Sequence, residues 1–356
     1  LWTYRYQGST ADAIQAARLL PNRHFLVLIS FLSSLPPNKL SSLPSGTLDV
    51  IREVDLAGNT ISELSLAQLQ QSLTAHGYSF TLQGFHHDLL PLPSGHILIL
   101  ADMRVPYTNL SGYPGTTSVL GDVLVDVDKN FNPTWVWSTF DHLDVNRHPM
   151  NFPDWTHGNA ILYSTDDHNL LFSMRHQNWI VKIDYQDGKG SGDILWRLGS
   201  GGDFKLVGGT DPTDWFYAQH GPSFLSKNTS GVFQLGVMDN GDDRQFPAGV
   251  VCGQPGQPPC HYSTAPVLQI DEIQMTATLL SNYTPPASLY SYFGGDVNPL
   301  ANGDIEADFC AVQTGAVVQE LSESTGTAQV VWQATTSGAS QFRAQRLSSL
   351  YPGVQW

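Results

Sequence analysis

The stretch Asp154–Asp184, DWTHGNAILYSTDDHNLLFSMRHQNWIVKID, decides how the rest of the chain is read. Asn159–Ser164 is apolar and strand-forming, TDDHN supplies a turn, and Leu170–Met174 is apolar again, which is a β-hairpin pattern. His157 stands just before the first strand and Arg175 just after the second. In an antiparallel pair those positions lie at the same end. The pattern thus sets a histidine beside an arginine, with Trp155, Gln177 and Asn178 near them.

Sliding this layout along the chain finds it again. AARLLPNRHFLVLIS and TLDVIREVDLAGNTISELS form one pair of hairpins, and GFHHDLLPLPSGHILILADMR with GDVLVDVDKNFNPTWVWSTF forms the next. The opening stretch continues into WIVKIDYQDGKGSGDILWRLG. The fourth unit is AQHGPSFLSKNTSGVFQLGVMDNG with APVLQIDEIQMTATLLSNY. The fifth is YSYFGGDVNPLANGDIEADFCAV with AVVQELSESTGTAQVVWQAT. Each unit is four strands, recurring at roughly 60 to 75 residues, and the four-stranded repeat is that of a β-propeller. SQFRAQRLSSLYPGVQW and LWTYRY would share a further blade. The expected fold is therefore all-β, a single propeller domain over 1–356 with six blades, the last closed by N- and C-terminal strands, with seven blades or an open sandwich as the alternatives. Leu64, Leu66, Leu69 and Leu73 are spaced for one short inserted helix over about 62–79, with Gly77 as its stop. Two long Gly/Pro/Asp-rich loops are expected at 200–215 and 247–259.

Composition agrees with an all-β chain. Only 14% of the 356 residues are charged, while there are 32 glycines and 22 prolines. A net charge of −15 argues against a nucleic-acid partner, and an anionic ligand would need its own local cations. The longest apolar run, Phe25–Leu32, is too short to span a bilayer. Cys252 and Cys260 flank a Gly/Pro-rich loop and could form a disulfide, leaving Cys310; such a bond indicates a periplasmic or extracellular protein. No signal peptide is visible, and the chain begins as a mature or trimmed product would.

The repeat puts histidines in phase: His86-His87 opens the second unit, His157 the third and His220 the fourth. Arg175 falls at the matching end of the third unit, and Met238 and Asp239 take that place in the fourth. Arg175 alone could be a partner of Asp166 or Asp167, and Arg104 reads as a surface residue. Three imidazoles suit either a metal site or nucleophile-and-acid chemistry on an anion. Arg175 favours the second, because a guanidinium repels a cation and binds an oxyanion, and no carboxylate occupies the phased positions. The expectation is no metal and no cofactor. The DNGDD loop at 239–243 reads as a turn before it reads as a calcium site.

The motifs DWTHGN (154–159), SMRHQ (173–177), AQHG (218–221), MDNGDDR (238–244) and GFHHD (84–88) resemble those of the bacterial arylsulfate sulfotransferases, in order, from about residue 84 onward. The resemblance implies a six-bladed propeller that works without a nucleotide sulfate donor. An aryl sulfate would pass its sulfuryl group to a histidine, which would pass it to a phenol by a ping-pong route. By motif, His220 would be the nucleophile and become sulfohistidine. His157 and Arg175 would hold the sulfuryl oxygens with His87, or else His86, and one flanking histidine would protonate the leaving phenoxide. Trp155, Asn159, Trp215 and Tyr217, with Phe216, would contact the substrate or else pack between blades. The family's periplasmic members carry an N-terminal β-domain for dimerisation that has no room here, and the oligomeric state stays open. Two other readings compete: a non-catalytic propeller binding anionic ligands or a protein, and a metal-dependent hydrolase or lyase.

Overall fold

The computed structural model describes residues 4, 12–31, 49–150, 152–322, 328–347 and 349. The described residues form five sheets of the propeller-blade kind, each built on four consecutive antiparallel strands. The first holds β1 (Asp12–Leu19), β2 (Phe25–Phe31), β3 (Val50–Val54) and β4 (Thr60–Ser65); the second β5 (Leu82–Pro91), β6 (Ile97–Leu110), β7 (Tyr113–Val127) and β8 (Pro133–Ser138). The third holds β9 (Gly158–Tyr163), β10 (Leu170–Met174), β11 (Trp179–Ile183) and β12 (Ile194–Leu198). In the fourth, β14 (His220–Phe224), β15 (Val232–Met238), β16 (Ala265–Asp271) and β17 (Thr276–Tyr283) are joined by a fifth strand, β13 (Lys205–Val207). The last holds β18 (Val297–Pro299), β19 (Ile305–Val312), β20 (Gly315–Ser322) and β21 (Gln329–Ser337).

A local device repeats at the turns. In the first two sheets the third strand runs out into an aspartate whose side chain accepts the next free backbone N–H groups. Asp55 Oδ1 takes those of Ala57 and Asn59, and Asp128 Oδ1 those of Asn130 and Asn132. In the fourth sheet Asp271 does the same for Ile273 and Gln274. Such Asx-type turns satisfy the N–H groups that the ladder leaves behind. The middle strands are buried on both faces, which is why LLFSM and WIVKI read as mostly apolar runs, broken only by Ser173 and the ion-paired Lys182.

Three expectations need correction. Five blades are present among the described residues, not six. Of the pieces assigned to a sixth, the described part of the C-terminal stretch, 340–347, forms no strand. It is tied to the fifth sheet by irregular bonds, Gln341 N to Cys310 O and Asn298 Nδ2 to Ala344 O; the rest of those pieces, Tyr4 and Ser349 apart, lies outside the described residues. The helix, α1, is Leu66–Ala75 rather than 62–79. Residues 62–65 pair with β3 as part of β4, and Ser65 closes a capping box with Gln68. Leu66, Leu69 and Leu73 are its buried face, and Gly77, at φ +91°, follows its end. A second short helix, α2 (Thr139–His142), was not foreseen. The expected loop 200–215 contains β13, which pairs in parallel with β17. The stretch 247–259 is a loop, closed by a Cys252–Cys260 disulfide, and Cys310 is buried in β19.

The chain divides into two compact units, one running to Ile161 and taking in Asp187–Gly190, the other covering Leu162–Gln186 and Ser191–Leu347. In the first, Leu26, Leu28 and Ile51 pack with Leu69 and Leu73 of α1 and with Phe85, Ile99, Val123 and Val125 of the second sheet. In the second, Leu171, Ile180 and Trp196 pack on Phe233, Leu235 and Leu268 of the fourth sheet, and Met238 and Val267 on Val297 and Phe309 of the fifth. Burying such side chains is worth about 1.5–3 kcal/mol each.

Buried polar groups latch each blade to the one before it. Asp49 Oδ2 accepts from Phe85 N at 2.8 Å, Asp122 Oδ2 from Gly158 N at 2.8 Å, and Asn178 Oδ1 from Ala218 N at 2.7 Å. Each latched amide lies within two residues of a phased histidine.

Candidate active site

In the second unit, β14 opens on His220, which pairs with Met238 at the end of β15. The chain reaches His220 through Ala218 at φ +51° and leaves it through Gly221 at φ +42°. A Cβ on Gly221 would lie 2.4 Å from the Gly295 carbonyl oxygen, so only glycine fits. His220 is 2% exposed. Its Nδ1 is 2.7 Å from Asn240 Oδ1 and 3.2 Å from the Ala218 carbonyl. The amide of Asn240 donates to Ser291 O at 2.7 Å and Gly294 O at 3.1 Å, which orients its Oδ1 as an acceptor. Nδ1 of His220 therefore carries the hydrogen, an assignment made from the bonding network. In the neutral ring Nε2 is then the nitrogen with the lone pair.

Arg175 begins a one-turn 3-10 segment, Arg175–Gln177, after β10. Its Nη2 donates to Asp242 Oδ2 at 2.6 Å and to Tyr292 O at 3.2 Å, and its Nη1 lies 2.8 Å from His176 Nε2. Its Nε is buried with no hydrogen-bond partner among the described residues. The partner is thus neither Asp166 nor Asp167; Asp167 pairs with Lys182, which also pairs with Glu272. Tyr290 donates its hydroxyl to the other oxygen of Asp242. Burial pushes both Asp242 and Tyr290 up, and the Asp242 charge pushes the phenol further.

His220 and Arg175 are thus held by the same two segments, 239–244 and 290–295. Arg244 anchors the first: it pairs with buried Asp239 at 2.5 Å, donates to the Trp215 carbonyl at 3.2 Å and stacks 4.2 Å over the Tyr262 ring. The DNGDD loop is a turn whose Asn240 and Asp242 side chains serve His220 and Arg175.

In the first unit, His86 and His87 sit in a bulge of β5, where the register with β6 shifts between Phe85 and Leu89, and His87 has φ +55°. Their Nδ1 atoms are 2.8 Å apart. His86 Nε2 makes an ion-pair contact of 3.2 Å with Asp122 Oδ1, off the line of a good hydrogen bond. Asp122 Oδ2 is taken by Thr156 Oγ1 and Gly158 N. Although burial opposes charging His86, Asp122, Asp102 and Asp154 hold it up at about 9. Asp102, with a buried unpartnered Oδ1, is pushed up to about 6 by burial. His157, at φ +51°, sets Nδ1 2.7 Å from Asp154 Oδ2, and its ring meets that of His87 edge-on at 4.8 Å.

Asp122, Asp102 and Asp154 nonetheless stand beside the histidines. The acids come from positions outside the repeat phase, so the phase comparison did not see them. Arg104 lies in β6, exposed, bonded to the Ser118 carbonyl. Trp155, Trp215 and Tyr217 are at most 2% exposed. Trp155 packs with Val119 and Val145 and donates to Arg147 O; Trp215, Phe216 and Tyr217 lie in the core with Phe233. Their rings have no open face for an aryl group, so they are packing residues. Asn159 is fully buried just inside β9. Asn240, Asp242, Tyr290, His176, Asp122 and Asp154 were not singled out as site residues from sequence. The first two lie inside MDNGDDR, where their spacing from His220 was the available signal.

Blade-type sheets thus hold a buried histidine and, on the same two segments, an arginine whose Nε–H is buried. Residues 4–344 match the model of the arylsulfotransferase (ASST) family, and the chain belongs to that family. No curated protein matches the chain in sequence. Among solved structures it is similar to a protein of unknown function from Bacteroides caccae, with 12% identity, a TM-score of 0.40, and 79% of this chain and 70% of that one covered. It is also similar to a putative 6-phosphogluconolactonase from Bacteroides fragilis, with 9% identity, a TM-score of 0.31, and coverage of 83% and 93%.

Proposed function

We propose that the protein moves a sulfuryl group from an aryl sulfate ester to a phenol through a covalent sulfohistidine at His220. The observation that carries this is the tautomer of His220. Its Nδ1–H is committed to Asn240, which in the neutral ring puts the lone pair on Nε2, the nitrogen that would attack sulfur. As the N–S bond forms, the S–O bond to the aryl group breaks and a phenoxide departs. A phenol then attacks the same sulfur, the N–S bond breaks, and His220 is regenerated. Two displacements at one nitrogen predict ping-pong kinetics. Sulfuryl transfer resembles phosphoryl transfer in spreading charge over three equatorial oxygens, so positioned donors supply most of the rate. Arg175, fixed by Asp242 and Tyr292, supports that role with its buried Nε–H. A share for His87 and His157 in holding oxygens rests on the family resemblance alone.

The test is direct. With donor and no acceptor, the His220 peptide should gain the mass of one sulfuryl group, and His220→Ala should abolish both that gain and transfer to phenol. Transfer that survives His220→Ala sinks the mechanism. Saturable binding of aryl sulfate without turnover would favour a non-catalytic anion binder. We further place the protein in an oxidising compartment, periplasmic or extracellular, on the strength of the Cys252–Cys260 disulfide. Three free thiols in protein from its native source would overturn that placement.

A further inference from the structure

The chain carries three Asn-x-Ser/Thr triplets, at Asn109, Asn228 and Asn282, the acceptor sequence of N-linked glycans. In a chain rich in serine and threonine such triplets also arise by chance, so the motif alone assigns nothing. The fold separates them. Asn109 stands near the end of β6, at the tip of the long β6–β7 hairpin, where the register slips between Thr108 and Leu110 and φ at Asn109 is +58°. It is exposed, as are Ser111 and Gly112, and its Oδ1 accepts from Gly115 N at 3.0 Å. Asn228 stands at the turn between β14 and β15, which Thr229 and Val232 close by reciprocal backbone bonds, with Ser230 and Gly231 at φ +52° and +84°. Its Oδ1 accepts from Gly231 N at 2.9 Å, and Thr229 and Ser230 are exposed. At both tips the fold uses the amide oxygen alone; among the described residues neither Nδ2 has a hydrogen-bond partner. Asn282 differs. It lies inside β17 opposite Pro266, its Oδ1 is buried with no partner among the described residues, and Pro285 follows the Thr284 of its triplet.

A glycan is joined through Nδ2, and the amide keeps its oxygen as an acceptor together with one N–H. The sugar is bulky and hydrated, so the folded chain must leave its attachment point facing water. At Asn109 and Asn228 the bonds from Gly115 and Gly231 survive the addition, whereas a sugar on Asn282 would crowd the β16–β17 ladder. We propose that Asn109 and Asn228 carry N-linked glycans and that Asn282 does not. The inference rests on the oxidising-compartment placement above and narrows it to a secreted protein. In the step itself Nδ2 bonds to C1 of an oligosaccharide held on a polyisoprenyl pyrophosphate. The C1–O bond to the pyrophosphate breaks, the lipid pyrophosphate departs, and one Nδ2 proton goes to a base of the transferase that reads the triplet. Each glycan covers a hairpin tip, the kind of place at which proteases nick a folded chain.

The test takes the protein from its native source and releases glycans with peptide-N-glycosidase in heavy-oxygen water, which turns each glycosylated asparagine into an aspartate carrying heavy oxygen. Mass spectra should place that label on the peptides of Asn109 and Asn228, while the peptide of Asn282 remains unlabelled asparagine. An unlabelled Asn109 or Asn228, or a labelled Asn282, overturns the proposal. Made by the same source, Asn109→Gln and Asn228→Gln should each lose the mass of one glycan and leave sulfuryl transfer unchanged, and Asn282→Gln should lose none. A variant at Asn109 or Asn228 that keeps the full glycan mass also overturns it. The thiol state of the same sample separates the two layers of the argument. Free thiols at Cys252 and Cys260 bring down the compartment placement and the glycans with it; an intact disulfide without label brings down the glycan assignment alone.

Discussion

Replacing Asn240 by alanine isolates the feature on which the nucleophile assignment stands. Asn240 accepts from His220 Nδ1 at 2.7 Å and donates to two buried carbonyls, so three bonds go at once. In the resting enzyme the Nδ1–H to Oδ1 bond joins neutral partners and is worth about 1 kcal/mol. As Nε2 bonds to sulfur the ring becomes cationic, and the same bond becomes charge-assisted, worth about 1.5–3 kcal/mol. The difference, about 0.5–2 kcal/mol, is felt only in the transition state and the intermediate, and corresponds to about 2- to 30-fold in rate. Freeing the ring to take its other tautomer adds to the loss. Asn240→Ala should thus slow the burst of 4-nitrophenol in single turnovers by about 10- to 50-fold, with the KM for donor little changed. Asn240→Asp, which still accepts from Nδ1–H, should recover part of the loss although Ser291 and Gly294 lose their donor. A burst rate within about threefold of the unmodified enzyme in Asn240→Ala would refute the tautomer argument.

Arg175→Lys keeps the charge but cannot reproduce the fork to Asp242, His176 and Tyr292; kcat/KM for aryl sulfates should drop about 10²-fold, and a drop under about threefold contradicts a role for the guanidinium. Stability should depend on pH through buried acids of the fifth sheet. Asp296, pushed up to about 6, and Asp308, pushed well above the usual carboxylate range, are raised chiefly by burial. A carboxyl raised in the folded state binds its proton more tightly there, so folding is favoured at low pH and weakens as pH rises through that value. His86, held at about 9, adds stability that is fully present below its ordinary 6.5 and lost as pH rises through 9. The melting temperature should therefore fall steadily from about pH 4.5 to about pH 9, and Asp308→Asn should flatten the lower part of that fall; a melting temperature rising with pH over this range contradicts the assignment.

Much of the fold was legible because each hairpin carries its own signal. Apolar runs such as GDVLVDV, which runs out into the Asp128 turn, announce strands whatever their neighbours do. The sixth blade failed because its pieces lacked such boundaries; SQFRAQR is polar, and hydrogen bonds to Asn298 and the Cys310 carbonyl hold it in place of a ladder. The inserted helix was seen through its leucines but drawn too long, since Leu64 continues the apolar spacing while belonging to β4. Among the candidate residues, His220, Arg175 and the other histidines stand out through repeat phase. Their partners do not, because Asn240, Asp242, Asp122 and Asp154 come from loops and middle strands, where contact depends on tertiary geometry. The aromatic residues beside the motifs fit either substrate contact or packing by sequence alone, and burial with Phe233 decides for packing at Trp215 and Tyr217.

The latches that run from Asp49 to Phe85, from Asp122 to Gly158 and from Asn178 to Ala218 have a consequence for how such a chain can change. Each phased histidine takes its alignment from a carboxylate or amide that belongs to the preceding repeat. A blade moved alone into another chain would carry its histidine but leave behind the group that aims it. The heritable module is therefore a seam, the end of one repeat with the start of the next, and grafts cut in the middle of a sheet should keep function where grafts cut between sheets lose it.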